Sequence, residues 1–233
     1  MTVRLLVLVL VVLVAGCGAD ERPALPQGSD PVEIDPTAFS AEIDNPYWPM
    51  KPGSTWVYRE GDQRVEVTVT DRTRTVMGVE TRVVHDLVTE NGVPVEDTFD
   101  WYAQDADGNI WYFGEDTTEF EAGKPVGHAG AWEAGVDGAQ PGILLPADPA
   151  IGMTYRQEYY AGEAEDRAKV LSVDERVEVP AGTFAGALQT EDTTPLDPAI
   201  VEHKFYARGV GPVLALKVKG DTGREELISF TTP

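Results

Sequence analysis

Two stretches of the chain place aromatic rings beside carboxylates, a combination well suited to ligand binding. Aromatic faces attract cations and pack against sugars, and a neighbouring carboxylate adds a fixed negative charge. Consecutive aromatic residues in a β-strand can also place one ring in the core and the next ring on the opposite face. Both interpretations stay open for one set of possible ligand-facing residues. The set is Trp101, Tyr102, Trp111, Tyr159, Glu158 and His203.

The histidines give a weaker signal. The chain has three of them, too few and too scattered to predict a zinc site. His203 lies between Glu202 and Lys204 in an alternating run, so its side chain points away from theirs. As a general base it would need a cleft and a carboxylate from another strand. An ordinary strand histidine is the favoured interpretation.

A calcium site is a further candidate, because Asp105, Asp107 and Asn109 place oxygen-bearing side chains at alternate positions. The rest of an EF-hand loop is missing. Ile110 stands where that loop needs glycine, and Asp116 stands where it needs a bidentate glutamate. An Asp-Gly-Asn sequence flanked by aromatic residues is typical of a hairpin tip. The hairpin is therefore favoured, with bound calcium as the weaker alternative.

Common catalytic motifs are missing from the sequence. It has no Gly-x-Ser-x-Gly, no His-Glu-x-x-His, no Cys-x-x-Cys and no Gly-x-x-x-x-Gly-Lys-Ser/Thr. No catalytic residue is predicted, and no cofactor. Forty acidic residues still leave carboxylate pairs available for a hydrolase, where such pairs lie about 5 to 9.5 Å apart across a cleft.

The charge balance excludes one class of partner. The 233 residues include 40 acidic against 18 basic side chains, for a formal net charge of −22. Nucleic-acid binding depends on Lys and Arg neutralising phosphates, so this surface would repel a polyanion. The length suits a folded core without metals or disulfides. We expect an acidic folded protein with no nucleic-acid partner.

The first seventeen residues predict where the protein is located. Arg4 precedes an apolar run over residues 5–15, which is too short to span a bilayer as a helix. The run ends in Val14-Ala15-Gly16-Cys17, which resembles the lipobox of bacterial lipoproteins. The resemblance implies that residues 1–16 are a signal peptide and that the sole cysteine, Cys17, carries a diacylglycerol. Two long chains suffice to anchor an exported protein stably to the cell membrane.

The segment after the signal peptide is expected to be a flexible tether. Residues 17–45 contain prolines at 23, 26, 31 and 36 and show no sustained strand or helix period. The folded domain would then cover residues 46–233.

Short alternating runs dominate that domain. Val65, Val67 and Val69 alternate with polar residues, which places them on one face of a half-buried strand. Similar runs follow, separated by Gly and Asn-Gly turns, and no long segment keeps a helical period. The pattern predicts an all-β fold with an antiparallel meander. The other predicted strands are 79–88, 98–103, 109–113, 154–160, 168–179, 184–191, 200–206, 213–218 and 225–230.

Two landmarks recur in order. Gly53-Ser54-Thr55-Trp56 returns as Gly152-Met153-Thr154-Tyr155, and Trp101-Tyr102-Ala103 returns as Phe205-Tyr206-Ala207. We predict two related β units, about 51–114 and 150–219, although all β meanders look similar at this level. A single sheet alone would leave its apolar face exposed to solvent. The units should pack as a curved sheet, a sandwich or a partly open barrel.

Three longer segments carry a resemblance to a known family. They are 46–56, from Pro46-Tyr47-Trp48-Pro49 to Trp56; 101–115, with Trp101-Tyr102-Ala103-Gln104-Asp105; and 155–166, with Tyr155-Arg156-Gln157-Glu158-Tyr159. The chain is similar in these segments to a family of bacterial exported proteins and lipoproteins of unknown function. The resemblance covers most of the mature chain and implies no catalytic residues. The missing Gly-x-Ser-x-Gly motif and the scarcity of histidine favour a non-catalytic binding or envelope-associated protein with a small-molecule or protein ligand; the alternative is a secreted carboxylate-dependent hydrolase.

Overall fold

A computed structural model describes residues 24–220 and 222–233. The predicted signal peptide and Cys17 lie outside the described residues. The described chain has sixteen strands and one turn of 3-10 helix, Pro36–Ala38. The strands are β1 Phe39–Ser40, β2 Thr55–Glu60, β3 Gln63–Val76, β4 Val79–Glu90, β5 Val93–Asp105, β6 Ile110–Glu121, β7 Lys124–Gly127, β8 Trp132–Glu133, β9 Gln140–Leu145, β10 Thr154–Arg156, β11 Glu158–Tyr159, β12 Arg167–Val179, β13 Gly182–Thr193, β14 Val201–Ala207, β15 Gly211–Lys219 and β16 Arg224–Thr231.

All sixteen strands belong to one antiparallel sheet that curves into a nearly closed barrel shape. The strand order is β10-β12-β13-β14-β15-β16-β2-β3-β4-β5-β6-β9-β11, with β1 on β5 and with β7 and β8 on β6. The all-β fold class and the curved meander are thereby confirmed. Among the described residues, no helix is long and apolar enough to cross a membrane.

One seam of the sheet is not sealed by a continuous ladder. It lies where β10, at one end of the strand order, runs through Gln157 into β11, which pairs with β9 at the other end. The Arg156 guanidinium crosses this gap and donates to the Pro141 carbonyl oxygen at 2.8 Å. The backbone at Gly142 of β9 passes close to the backbone at Gln157. Only glycine fits at position 142, since a Cβ there would lie 2.4 Å from the Gln157 carbonyl oxygen.

The inner face of the sheet forms a single core. Val65, Val67 and Val69 are all buried, as their alternation predicts. Trp56 and Tyr155, the first landmarks of the two predicted units, belong to the same apolar cluster and are at most 1% exposed. One core therefore spans both halves of the chain.

The N-terminal segment lies against the domain from residue 24 onward. Arg156 donates to the carbonyl oxygens of Gly28 and Asp30 at 2.9 and 2.7 Å. Ala41 and Ile43 are buried, and β1 pairs with β5. Residues 24–45 thus contact the sheet, where the sequence suggested a tether. The tether stays a prediction for residues 17–23, which lie outside the described part.

The two halves share a hydrogen-bond pattern. The Gly53 N–H donates to Val69 at 2.8 Å, and the Gly152 N–H donates to Val170 at 2.9 Å. The return bonds, from the Val69 N–H to Ser54 and from the Val170 N–H to Met153, match as well. The longest hairpin of each half also carries an irregularity in mid-ladder. These equivalences support our proposal of two related units.

Candidate functional site: an acidic cavity inside the barrel

Register places a wall of carboxylates on the inner face of β4, β5 and β6. Asp86 is opposite Val67, whose side chain is buried, so Asp86 faces inward too. Residues directly opposite each other on neighbouring strands share a face. Asp100 and Glu115 are paired in this way, and so are Glu96 and Glu119.

The facing wall, on β13 to β16, carries the cations. Lys204 of β14 is opposite Thr190 on one side and Ala215 on the other, and Ala215 is opposite Glu225 of β16. Lys204 forms an ion pair with Asp192 at 3.1 Å and a longer one with Glu202 at 3.9 Å. Lys204 is therefore held by carboxylates of its own wall, and its charge also lowers the pKa of Glu158 and of Glu225.

Two adjoining cavities separate the walls, and together they form what we call the acidic cavity. One, of about 230 Å³, lies between Asp86 and Lys204 and is lined by rings that include Tyr58 and Tyr102. The other, of about 170 Å³, lies between Glu60 and Glu202. The two share Lys204, Ala215 and Glu225. The cavity is therefore bounded by carboxylates and by aromatic rings.

The Tyr112 hydroxyl bridges Asp100 and Glu115. It lies 2.7 Å from Asp100 Oδ1 and 2.5 Å from Glu115 Oε2. A hydroxyl has one hydrogen to donate, so a proton on either carboxyl would let both contacts be hydrogen bonds. Burial and the neighbouring charge of Glu115 raise the pKa of Asp100 to about 7. Burial likewise raises the pKa of Glu115.

Asp86 carries the least compensated oxygen in the cavity. The residue is half-buried, yet its Oδ1 atom is out of reach of solvent and has no hydrogen-bond partner within residues 24–220 and 222–233. Burial, with repulsion from Asp100 and Glu225, raises the pKa of Asp86 well above its ordinary value. A buried polar atom without a partner is costly and needs an explanation, such as a ligand.

Two further buried carboxyls have raised pKa values, and one of them, Glu225, lines the cavity. Burial and repulsion from Glu60 raise the pKa of Glu225 to about 7. Glu158 accepts a 3.0 Å hydrogen bond from the Trp132 indole, and burial with repulsion from Asp166 raises its pKa to about 8. Among the residues described, neither forms an ion pair with Lys or Arg. A cation in the cavity would relieve the repulsion between Glu225 and Glu60.

The predicted ligand-facing residues fall into two groups. Tyr102 lines the acidic cavity, and the carboxyl of Glu158 is electrostatically linked to Glu115. Trp101 faces outward, with the Arg74 guanidinium 3.9 Å from its ring centre. His203 also faces away from Lys204, 3.0 Å from the Gln189 amide and 3.7 Å from Glu191. The structure therefore brings Tyr102 and Glu158 toward the site but not Trp101 or His203.

Tyr159 and Trp111 lie elsewhere. Tyr159 is half-buried on β11 beside Arg156, whose guanidinium lies 6.0 Å from its ring centre. Trp111 lines a largely apolar cavity of about 710 Å³ between residues 24–33 and the β5–β6 hairpin tip. That cavity is larger than the acidic one, but it lies outside the barrel interior and is walled partly by the N-terminal segment.

The calcium candidates form the turn of the β5–β6 hairpin. The Asp105 carboxylate accepts from the Asp107 and Asn109 backbone N–H groups, from the Asn109 amide and from the Trp111 indole, at 2.7 to 3.0 Å. Four donors already occupy this carboxylate, which favours the hairpin-tip interpretation. In the described ranges, no group of three or more His, Cys, Asp or Glu side chains is placed to hold a metal ion.

Asp86, Asp100, Glu115 and Glu225 were not singled out from the sequence. The sequence of β5 contained one signal for an acidic interior. Over residues 98–101 of this strand, the aromatic side chains lie on the outer face and the polar ones on the inner face, the reverse of the usual arrangement. Phe99 and Trp101 lie on the outer face, while Thr98 and Asp100 lie on the inner face. Aromatic residues outside and acids inside indicate a sheet whose inner face is not entirely apolar core.

Comparison with known proteins adds little to the site. No family model matches the chain, and no curated protein matches it. Among solved structures, a protein from Parabacteroides distasonis ATCC 8503, described as a candidate lipoprotein, resembles the chain with a TM-score of 0.43 at 10% identity. The likeness covers 79% of this chain and 98% of that chain. What the chain does must therefore follow from its own residues.

Proposed function

We propose that this chain is an exported, lipid-anchored binding protein that holds a small ligand in its acidic cavity without chemically changing it. The observation that carries the proposal is a cavity lined by Asp86 and Glu225, neither of which forms an ion pair with Lys or Arg among the described residues, and the Oδ1 atom of Asp86 is buried and has no hydrogen-bond partner there. A core built only for stability would avoid such groups, because each is costly without compensation. A bound ligand supplies that compensation.

The lipid anchor rests on the N-terminal motif. Val14-Ala15-Gly16-Cys17 closes a short apolar run and contains the sole cysteine of the chain. Diacylglycerol on Cys17 would supply two long acyl chains, enough for stable attachment where one would be marginal. The folded domain would then sit at the membrane surface.

Replacement of Cys17 by Ser is expected to abolish the anchor. The wild-type protein should enter the detergent phase of a two-phase extraction, whereas Cys17→Ser should stay in the aqueous phase because it carries no lipid. The adjacent variant Gly18→Ser keeps the cysteine and should partition like the wild type. Equal extraction of Cys17→Ser into detergent would show that the anchor lies elsewhere.

A hydrolase is the second candidate, favoured by the buried pair of Asp100 and Glu115. These two residues are direct neighbours on β5 and β6, and one tyrosine hydroxyl bridges them. They therefore lie side by side on one wall of the sheet's inner face, outside the lining of the acidic cavity. Both known arrangements of glycosidase carboxylates require the pair to flank the bond that is cleaved. The geometry thus fits binding better than hydrolysis.

Filling the cavity should block ligand binding. Ala215 lines both parts of the acidic cavity, and Ala215→Phe places a ring inside it. Leu216→Phe is the matched control, because Leu216 is opposite the outward-facing His203. In a thermal-shift panel of cationic, neutral and anionic small molecules, at least one compound should raise the melting temperature of the wild type and of Leu216→Phe. The same compound should not raise that of Ala215→Phe.

Two outcomes would contradict this function. If no compound of the panel shifts the melting temperature at millimolar concentration, the cavity is not a binding site. If the shift persists in Ala215→Phe, the ligand binds elsewhere. Mass spectrometry of the stabilising compound after incubation separates binding from hydrolysis, because a hydrolase would convert it into smaller products.

A further inference from the structure

We propose that the acidic cavity binds a linear organic polyamine, a flexible molecule with ammonium groups separated by short apolar chains. The inference rests on the proposed function and names the class of its ligand. Three features of the cavity support it: the excess of negative groups, their spread along the walls, and the aromatic surface between them.

The excess of acidic side chains in the cavity favours a cationic ligand. Glu60, Asp86, Glu202 and Glu225 line it, against Lys204 and Lys217. Both lysines already form ion pairs, Lys204 with Asp192 and Lys217 with Glu60 at 3.1 Å. An anion would meet repulsion on both walls, and a neutral ligand would leave the buried oxygen of Asp86 without a charged donor.

The distribution of the acids over several strands favours an extended cation over a metal ion. A divalent metal ion gathers its oxygen ligands within about 2.6 Å of one point. No such group of acidic side chains exists within residues 24–220 and 222–233. Asp86 lies on β4, Glu225 on β16 and Glu202 on β14, so the acids come from three strands around the two parts of the cavity. Several ammonium groups on one flexible chain match such dispersed acids better than one metal ion.

The rings between the acids suit the apolar parts of that ligand. Tyr58, Tyr102 and Tyr206 line the larger part of the cavity together with Trp48. Methylene groups pack against aromatic faces, and an ammonium group within about 6 Å of a ring centre gains a cation–π attraction. A cavity lined by both carboxylates and rings therefore suits a ligand that carries both ammonium groups and methylene chains.

Isothermal titration with spermidine tests this ligand class. Wild type should bind one spermidine saturably, and Asp86→Asn should weaken binding about tenfold or more, because a charge-assisted contact is lost. The variant keeps the side-chain shape and removes a buried charge, so folding should survive. Asp116→Asn is the control, because Asp116 is exposed on the outer face of β6, next to Glu115. Its affinity should stay within about twofold of the wild type.

Parallel titrations with calcium and with 1,8-octanediol separate the alternatives. Calcium binding at least as tight as spermidine would overturn the inference in favour of an inorganic cation. Binding of the diol without spermidine would also overturn it, yet leave the proposed function standing. Equal weakening by Asp86→Asn and Asp116→Asn would mean general attraction to an acidic surface. Lack of saturable spermidine binding would refute the ligand class, while the Ala215→Phe panel decides the function separately.

Discussion

The protein is expected to lose stability as the pH rises from about 5 to about 8, with a melting temperature lower by about 10 to 20 °C at the upper end. A protein whose surface carboxylates are paired with basic residues shows the opposite trend, because its stability falls as the pH is lowered. The difference here comes from acids that the fold buries without cations. Asp100, Glu225 and Glu158 are the three whose pKa values rise to about 7, 7 and 8.

The direction follows from proton linkage. The ordinary pKa values of these carboxyls are 3.8 for Asp and 4.5 for Glu. Between those values and the raised values, the folded state holds protons that the unfolded state has released. The free energy of unfolding therefore falls with pH across this window. The extra stability is fully present below about pH 4 and is lost once the pH exceeds about 8.

The size of the effect follows from the pKa displacement. One pKa unit corresponds to about 1.4 kcal/mol, so one of these carboxyls alone represents about 4 kcal/mol. Because neighbouring acids share protons, their contributions do not add fully. We expect a total loss on the order of 5 kcal/mol, and about 2 to 4 °C in melting temperature for each kcal/mol.

Calorimetry or denaturant melts at constant ionic strength measure this loss directly. Glu158→Gln keeps an oxygen for the Trp132 indole but removes the titrating group, so it should reduce the pH dependence. Asp116→Asn, on the exposed outer face, should leave the pH dependence unchanged. A melting temperature that rises between about pH 5 and about pH 8 would show that these buried acids are ionised and solvated in the folded state.

Prediction from sequence succeeded where packing follows a simple alternation. Val65, Val67 and Val69 lie on the inner face because one side of β3 meets the core and the other meets solvent. Turn chemistry located the hairpins for a similar reason, since Asn91 and Gly92 both adopt positive φ between β4 and β5. These features depend on local chain geometry, which neighbouring residues determine.

The acidic cavity could not be predicted in the same way, because its members are brought together by register between distant strands. Asp86 and Glu225 lie far apart in sequence, yet both line the same cavity. On the outer face, His85 and Phe99 stack with ring centres 4.5 Å apart, so apolar surface appears where alternation predicts solvent. From the sequence alone, an acidic residue at an inward position is therefore predicted to be exposed to solvent.

The N-terminal segment shows a second limit. Its prolines suggested a tether, but the segment is held by its backbone carbonyl oxygens, at Gly28 and Asp30. Every residue has a backbone carbonyl oxygen, whatever its side chain, so amino-acid composition cannot reveal such contacts. The partner, Arg156, is fully buried and more than a hundred residues away along the chain.

The last expected result concerns the core shared by the two proposed units. Trp56→Ala and Tyr155→Ala should each cost about 3 to 5 kcal/mol of unfolding free energy, a large share of the total for one domain. Trp56 is fully buried, stacks on Phe230 with ring centres 5.0 Å apart, and donates from its indole to the Val210 carbonyl oxygen at 2.7 Å. Tyr155 is equally buried, but its hydroxyl has no hydrogen-bond partner in the part of the chain that the structure describes.

Each variant should unfold in one cooperative transition, because both rings belong to one apolar cluster that neither half can bury alone. Tyr155→Phe is the matched control: it keeps the ring and removes an unpaired hydroxyl, so its stability should equal or exceed that of the wild type. Denaturant melts followed by circular dichroism and tryptophan fluorescence would show coincident curves. Two resolved transitions, each lowered only by its own variant, would instead mean that the halves unfold independently. Residues of both halves line the acidic cavity, Asp86 and Tyr102 in the first and Lys204 and Tyr206 in the second, so cooperative unfolding would also mean that the cavity exists only when both halves are folded.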